Sequence, residues 1–169
     1  MSVPLQVLIA PDGAGVAELS VLLRTLVASA DDVRRHAGAA AADAPARVTT
    51  WAVLGEATSE PGTPVNAHVV DHDRVGRQAV RLAVDKVLCV GSSRAVRALH
   101  QGAVMEGSWG DEARLVTGPA AAVDAVTTDP DWTPRPGDQV LLAGVPAADL
   151  LDRWRDIGLD VELLAPGPT

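Results

Sequence analysis

Two histidines stand among acids in His68-Val-Val-Asp71-His72-Asp73. Imidazoles at i and i+4 can share a metal ion when a helix puts them on one face. The neighbouring residues argue otherwise. Pro61, Gly62 and Pro64 break regular structure upstream, and Val69-Val70 suits a short strand or bridge. The expected helix therefore begins after His68, capped by Asp71 or Asp73, with His72 a structural residue near its start. No metal site is assigned.

The remaining chemical candidates are sparse. Asp12-Gly13-Ala14-Gly15 follows an apolar run and partly matches a dinucleotide loop, but Glu18 stands where the third glycine belongs. A turn that needs glycine is the simpler reading. Gly91-Ser92-Ser93 lies between a strand and a helix, where free N–H groups can bind an anion and serine is also the ordinary cap. Ser108, in Glu-Gly-Ser-Trp-Gly, lacks the first glycine of a nucleophile elbow and has no base beside it. Cys89 sits inside an apolar strand as an inert thiol. GxxxxGK[ST] is absent, and the only lysine, Lys86, precedes a strand. The weak ligand-binding candidates are Asp12, Gly13, Glu56, His72, Gly91, Ser92, Ser93, Arg94 and Gly144. No catalytic residue is assigned.

These residues need a scaffold, and the hydrophobic pattern supplies one. Strands are expected at Val3–Ala10, Val48–Leu54, Lys86–Val90, Arg114–Thr117, Gln139–Ala143 and Val161–Leu164. Leu19, Leu22, Leu23 and Leu26 mark the first helix at i, i+3, i+4 and i+7. Asp31 or Asp32 is expected to cap a separate second helix ended by Pro45. Further helices follow Asp71 or Asp73, Ser92 or Ser93, Pro119 and Pro146. Pro146 suits a first helical turn, where its missing N–H costs nothing. A loop or turn surrounds Trp109. Alternation of strand and helix predicts one α/β domain over 1–169, Rossmann-like in three layers. Its mostly parallel sheet has about six strands with helices on both faces, and runs such as Val87-Leu-Cys-Val90 suit double-sided burial. In such a sheet ligands sit at the strands' carboxyl ends, which points to Thr133–Trp154, where Gly144 turns the chain from strand to helix.

Bulk properties exclude several classes. At 169 residues the chain can bury a core, and 47% hydrophobic against 21% charged residues is ordinary for a globular protein. A net charge of −8, with Trp as the only aromatic, argues against a nucleic-acid partner. No apolar run reaches membrane-spanning length, and the first residues lack a basic, signal-like start. One cysteine fits a reducing cytoplasm. The Ala, Arg, Val and Gly bias is that of a GC-rich genome.

Several stretches, in order, resemble the C-terminal domain of the Mur ligases of peptidoglycan synthesis. Trp51-Ala-Val-Leu-Gly55-Glu56 resembles the family's A-V-L-G-D/E strand end. Asp71-His72-Asp73-Arg74-Val75-Gly76 resembles E-H-x-x-V-G, and Asp85-Lys-Val-Leu-Cys-Val-Gly91 resembles D-x-x-x-x-V-G. Pro136-Gly137-Asp138-Gln-Val-Leu-Leu-Ala143-Gly144 resembles P-G-D-V-V-L-V-K-G. Gly102-Ala103 and Trp109 fall where the family reads G-A and G-W. The likeness runs from Val7 to about Trp154.

The departures lie in the polar positions. The family's first loop, D-D-x-Y-N-A-N-P-x-S-M, is replaced by Ile9-Ala10-Pro11-Asp12-Gly13-Ala14-Gly15-Val16-Ala17-Glu18-Leu19. Its K-G-S turn becomes Ala143-Gly144-Val145. In that family the phosphate loop and the Mg²⁺ ligands belong to a neighbouring domain. The resemblance therefore implies the fold, with the function expected to be that of a detached, non-catalytic pseudoenzyme copy acting as a binding or interaction module. Its expected partner is a ligase or amidotransferase, or a second copy of the chain. No cofactor is expected unless a partner domain completes an ATP/Mg site. Two alternatives stand beside this reading: the C-terminal part of a split ATP-dependent amide ligase, and a small-ligand-binding domain.

Overall fold

The computed structural model describes residues 3–40, 47–107 and 111–165. Eleven elements alternate along the chain: β1 (Leu5–Ile9), α1 (Val16–Ala40), β2 (Thr50–Leu54), α2 (Val65–Arg81), β3 (Lys86–Val90), α3 (Arg94–Glu106), β4 (Ala113–Val116), α4 (Pro119–Thr128), β5 (Gln139–Ala143), α5 (Ala147–Asp156) and β6 (Val161–Leu163). The six strands form one sheet in the order β4-β3-β2-β5-β1-β6, and every pairing is parallel. The three-layer Rossmann-like α/β architecture is the one the alternation predicts.

Right-handed crossovers decide which helix covers which face. The connections β1→β2→β3→β4 step one way along the sheet, and those through α4 and α5 step back. Side chains alternate across each strand accordingly. Leu8, Ala52, Leu54, Val87 and Leu141 pack under Leu19, Leu23 and Leu26 of α1, Val75 and Ala79 of α2, and Val96 and Leu99 of α3. Val7, Trp51, Val53, Val140 and Leu142 point the other way, under Val126 of α4 and Leu150 and Trp154 of α5. Trp154 is wholly buried, and its indole N–H donates to the Val126 carbonyl at 3.3 Å. Each fully buried leucine contributes roughly 1.5–3 kcal/mol relative to exposure.

Three expectations are corrected. Asp31 and Asp32 cap nothing: α1 is one 25-residue helix through them, and they pair with Arg34 and Arg35 one turn on. A salt-bridged turn continues a helix as readily as a cap starts one. The second correction concerns α2, which starts at Val65 and not after His68. Pro64 stands at its N-cap with φ −59° and ψ 141°, so the proline that ends the loop also launches the helix. Val69 and Val70 are helical, and neither Asp71 nor Asp73 is a cap. The third concerns Pro146, which is the N-cap of α5 and stands just before the first helical turn expected to hold it. The expected helix end at Pro45, and Ser108 and Trp109, lie outside the described residues. Among the described residues no helix is long and apolar enough to cross a membrane.

Candidate functional site

After β1 the chain crosses towards β2; after the adjacent β5 it crosses the opposite way, to β6. The loops leaving these two strands diverge, and a crevice opens between them at the carboxyl edge. A cleft of about 390 Å³ lies there, bounded by Ile9–Ala14 on one side, Leu142 and Gly144–Ala148 on the other, with Glu56 and Thr58 behind. A second cleft, of about 460 Å³, lies beside it between the starts of α1 and α2, and Glu18, Glu60, His68 and Asp71 line it. Gly13 and Thr58 border both clefts. They form a wall: Gly15 bridges to Thr58, the Thr58 N–H donates to the Ala14 carbonyl at 3.1 Å, and its hydroxyl donates to the Gly13 carbonyl.

The back of the first cleft is two glycine turns in contact. The Gly55 N–H donates to the Ala143 carbonyl at 2.8 Å. A Cβ on Gly55 would stand 1.9 Å from the Gly144 carbonyl oxygen. Gly144 itself has φ +65°, and its own Cβ would meet the Glu56 oxygen at 2.8 Å. Close approach and left-handed backbone both demand glycine there. Gly76 and Gly102 do similar work between α2 and α3, where a Cβ would come within 2.0 Å of the Leu99 oxygen or 2.1 Å of the Asp73 oxygen.

Glu56 leads the polar network of this edge. The Ser93 hydroxyl near its carboxylate is the main cause holding that carboxyl below its ordinary 4.5, with His68 helping. The His68 Nε2–H donates to Glu56 Oε1 at 2.9 Å. Ser93 also caps α3 by accepting from the Val96 N–H at 3.2 Å. The continuous α2 places His68 and His72 on one face, their ring centroids 4.4 Å apart and nearly perpendicular. His72 is completely buried, and burial, the largest cause, pushes its pKa below 6.5. Its Nε2 accepts the Ala57 N–H at 3.0 Å and its Nδ1 donates to the His68 carbonyl at 2.8 Å. Both ring nitrogens are committed to backbone. Among the described residues no group of three or more His, Cys, Asp or Glu is placed to hold a metal ion.

Of the candidates read from sequence, Asp12, Gly13, Glu56 and Gly144 meet at the first cleft. His72 stands behind it as an anchor, and Ser93 reaches it through Glu56. Gly91, Ser92 and Arg94 border neither cleft; Gly91 donates its N–H to the Val116 carbonyl, and Ser92 and Arg94 are exposed. Cys89 is buried, and burial pushes its thiol far up. Sequence reading missed His68 as a partner of Glu56, and with it Thr58, Glu18, Glu60 and Asp71. The i, i+4 histidine spacing was the available signal. Among the described residues no lysine or arginine lines either cleft, so their side chains do not by themselves fit a nucleoside triphosphate, which needs cations around its phosphates.

The carboxylates of the opposite edge are structural. Asp138 is buried and accepts from the Thr49 N–H, the Trp51 indole N–H and the Arg135 N–H at 2.9, 3.0 and 2.9 Å. Asp85 accepts from the Thr50 N–H and hydroxyl at 2.8 and 2.9 Å, and its own N–H donates back to that hydroxyl at 3.0 Å.

No protein-family model and no solved structure matches the chain. Curated proteins do. The UDP-N-acetylmuramoyl-tripeptide--D-alanyl-D-alanine ligase of Mycobacterium leprae is 47% identical over 93 residues, which is 55% of this chain and 16% of that protein. The proteins of the same name from Mycobacterium tuberculosis H37Rv and Mycobacterium bovis are each 39% identical over 108 residues, 60% of this chain and 20% of theirs. The matched part spans a fifth or less of the length of these relatives. Over more than half of its residues the chain is thus similar to part of a Mur ligase, the family its motifs resemble.

Proposed function

We propose that the chain is a Mur-ligase-like recognition domain, without catalytic activity of its own, that serves peptidoglycan or peptide-ligation chemistry in the cytoplasm through a partner. The observation that carries this reading is the lining of the switch-point cleft. Its walls are Ile9, Ala10, Pro11, Leu142, Val145 and Pro146, with Asp12, Glu56 and Thr58 as its polar side chains. Glu56 and Thr58 are already engaged within the chain. A frame that shapes a ligand edge, but offers apolar surface and acids in place of phosphate-binding cations, suits contact with a protein better than transfer of a phosphoryl group. The partner class is a ligase or amidotransferase that brings its own ATP and Mg²⁺ site; a second copy of the chain is the other candidate.

The test is capture from a lysate of the source cells, with identification of what is bound. A ligase or amidotransferase retained by the wild type and lost with Glu56→Ala or Arg94→Ala supports the reading. ATP-dependent amide formation by the purified chain alone overturns it. The split-ligase reading is favoured by one observation, the polar grouping of Glu56, His68 and Ser93 at the carboxyl edge. It requires ATP turnover to appear when the partner is added, and to disappear with Glu56→Gln.

A further inference from the structure

His72 has a task that the clefts' own chemistry does not use. A carbonyl only accepts, so Nδ1 must carry a hydrogen to bond the His68 oxygen. An amide N–H only donates, so Nε2 must be bare to receive Ala57. The neutral, Nδ1-protonated imidazole alone makes both bonds. A proton added at Nε2 sets two donors face to face and places a charge at a site with no exposure.

What hangs from Ala57 is the wall between the clefts. Thr58 is the next residue, and it holds the β1–α1 loop through Gly13, Ala14 and Gly15. We propose that His72 is a pH-sensitive latch: protonating Nε2 frees Ala57 and Thr58 from α2, and the two clefts open into one groove. The neutral ring keeps them apart. From its own helix the ring faces His68, which disfavours a second positive charge, and Asp71, which favours it. From the β2–α2 loop Glu56 also favours the charge. On the α1 side the neighbouring acid is Glu18, which lines the same cleft as His68 and Asp71. The start of α3 adds the Ser93 hydroxyl on Glu56, while its first charged residue, Arg94, is exposed. Burial outweighs the acids, so the latch opens only below 6.5. Above pH 5 Glu56 stays ionised, so a change seen between pH 7.5 and 5 does not come from its protonation.

Amide hydrogen exchange of the full chain between pH 7.5 and 5, corrected for intrinsic rates, tests this. Protection of Ala57 and Thr58 should fall by about tenfold or more while that of Leu88, in the central β3, holds. The fall should vanish in His72→Gln, whose amide can accept from Ala57 without titrating, and persist in His68→Gln. The ring ¹⁵N shifts at pH 7.5 should report the Nδ1–H tautomer. Loss of protection at Ala57 in step with Leu88, an unchanged fall in His72→Gln, its disappearance in His68→Gln, or an Nε2–H tautomer each overturns the latch. Should His72→Gln not fold, the wild-type contrast between Ala57 and Leu88, together with the tautomer, decides.

Discussion

The two ends of the sheet spend their polar groups differently. At the amino edge, Asp138 and Asp85 are saturated by backbone N–H groups, the Trp51 indole and the Thr50 hydroxyl. They tie β2, β3 and β5 together, and their chemistry is finished once the chain folds. At the carboxyl edge the backbone is held as firmly, by the Gly55–Gly144 contact and the His72 anchor, yet the surface it frames is apolar with acids on the rim. The motifs that resemble Mur ligases include backbone-holding residues at both edges, Asp85 and Asp138 at one and Gly55 and Gly144 at the other. The resemblance departs at Ile9, Ala10, Ala143 and Val145, which leave apolar side chains at the carboxyl edge. A fold constrains the residues that shape it, whatever becomes of the function.

The sharpest way to break this contrast is Gly55→Ala. Its Cβ would overlap the Gly144 carbonyl, so the β2 and β5 turns must separate, at a cost of about 3 kcal/mol or more. Denaturant unfolding measures it, and a loss below about 1 kcal/mol would mean the turns are pliant. Asp138→Ala comes next. It strips three buried or half-buried donors of their acceptor and should cost about 3 kcal/mol in the same assay. Asp138→Asn, which keeps an oxygen, should cost less.

The pH dependence distinguishes the edges further. The folded protein holds His72 neutral, so the unfolded chain binds more protons between the two pKa values. The stabilisation is complete above 6.5 and is lost as pH falls below it, at no more than about 1.4 kcal/mol per pH unit. Glu56, held down in the fold, acts in the same direction but only below 4.5. A urea midpoint that is level from pH 8 to 4.5 would contradict the buried neutral ring. Ser93→Ala removes a helix cap and the hydroxyl that most lowers the Glu56 pKa, for about 1 kcal/mol. The smallest effect is expected for exposed Arg94→Ala, within about 0.5 kcal/mol. That silence makes it a clean probe of partner capture.

Much of the scaffold was legible from pattern alone. Lys86–Val90 and Gln139–Ala143 were located to the residue, because a short apolar run between turn residues has few other readings. The strand expected at Val3–Ala10 is shorter at both ends in the structure, Leu5–Ile9, since apolar residues beside a strand look like the strand itself. The α2 boundary was missed for a stronger reason. Two prolines and two adjacent valines speak against helix locally, and only packing against α1 and α3 turns that segment helical, with Gly76 pressed onto α3. His68 was lost with it, because a side chain's partners depend on where its helix begins.

The amino-acid order alone determined the alternation of strand and helix, the apolar faces and the places where glycine must stand, since these follow from local sterics and hydrophobic period. It determined as well that no phosphate-loop motif and hardly any lysine is present. The tertiary structure decided the strand order, and with it the crevice between β1 and β5, because a switch point exists only when crossovers divide. It decided that Glu56, His68 and Ser93 form one network, and that His72 faces Ala57 and not a metal. Those contacts join residues 12 or more positions apart, and beyond the i, i+4 spacing of His68 and His72 no rule in the chain anticipates them.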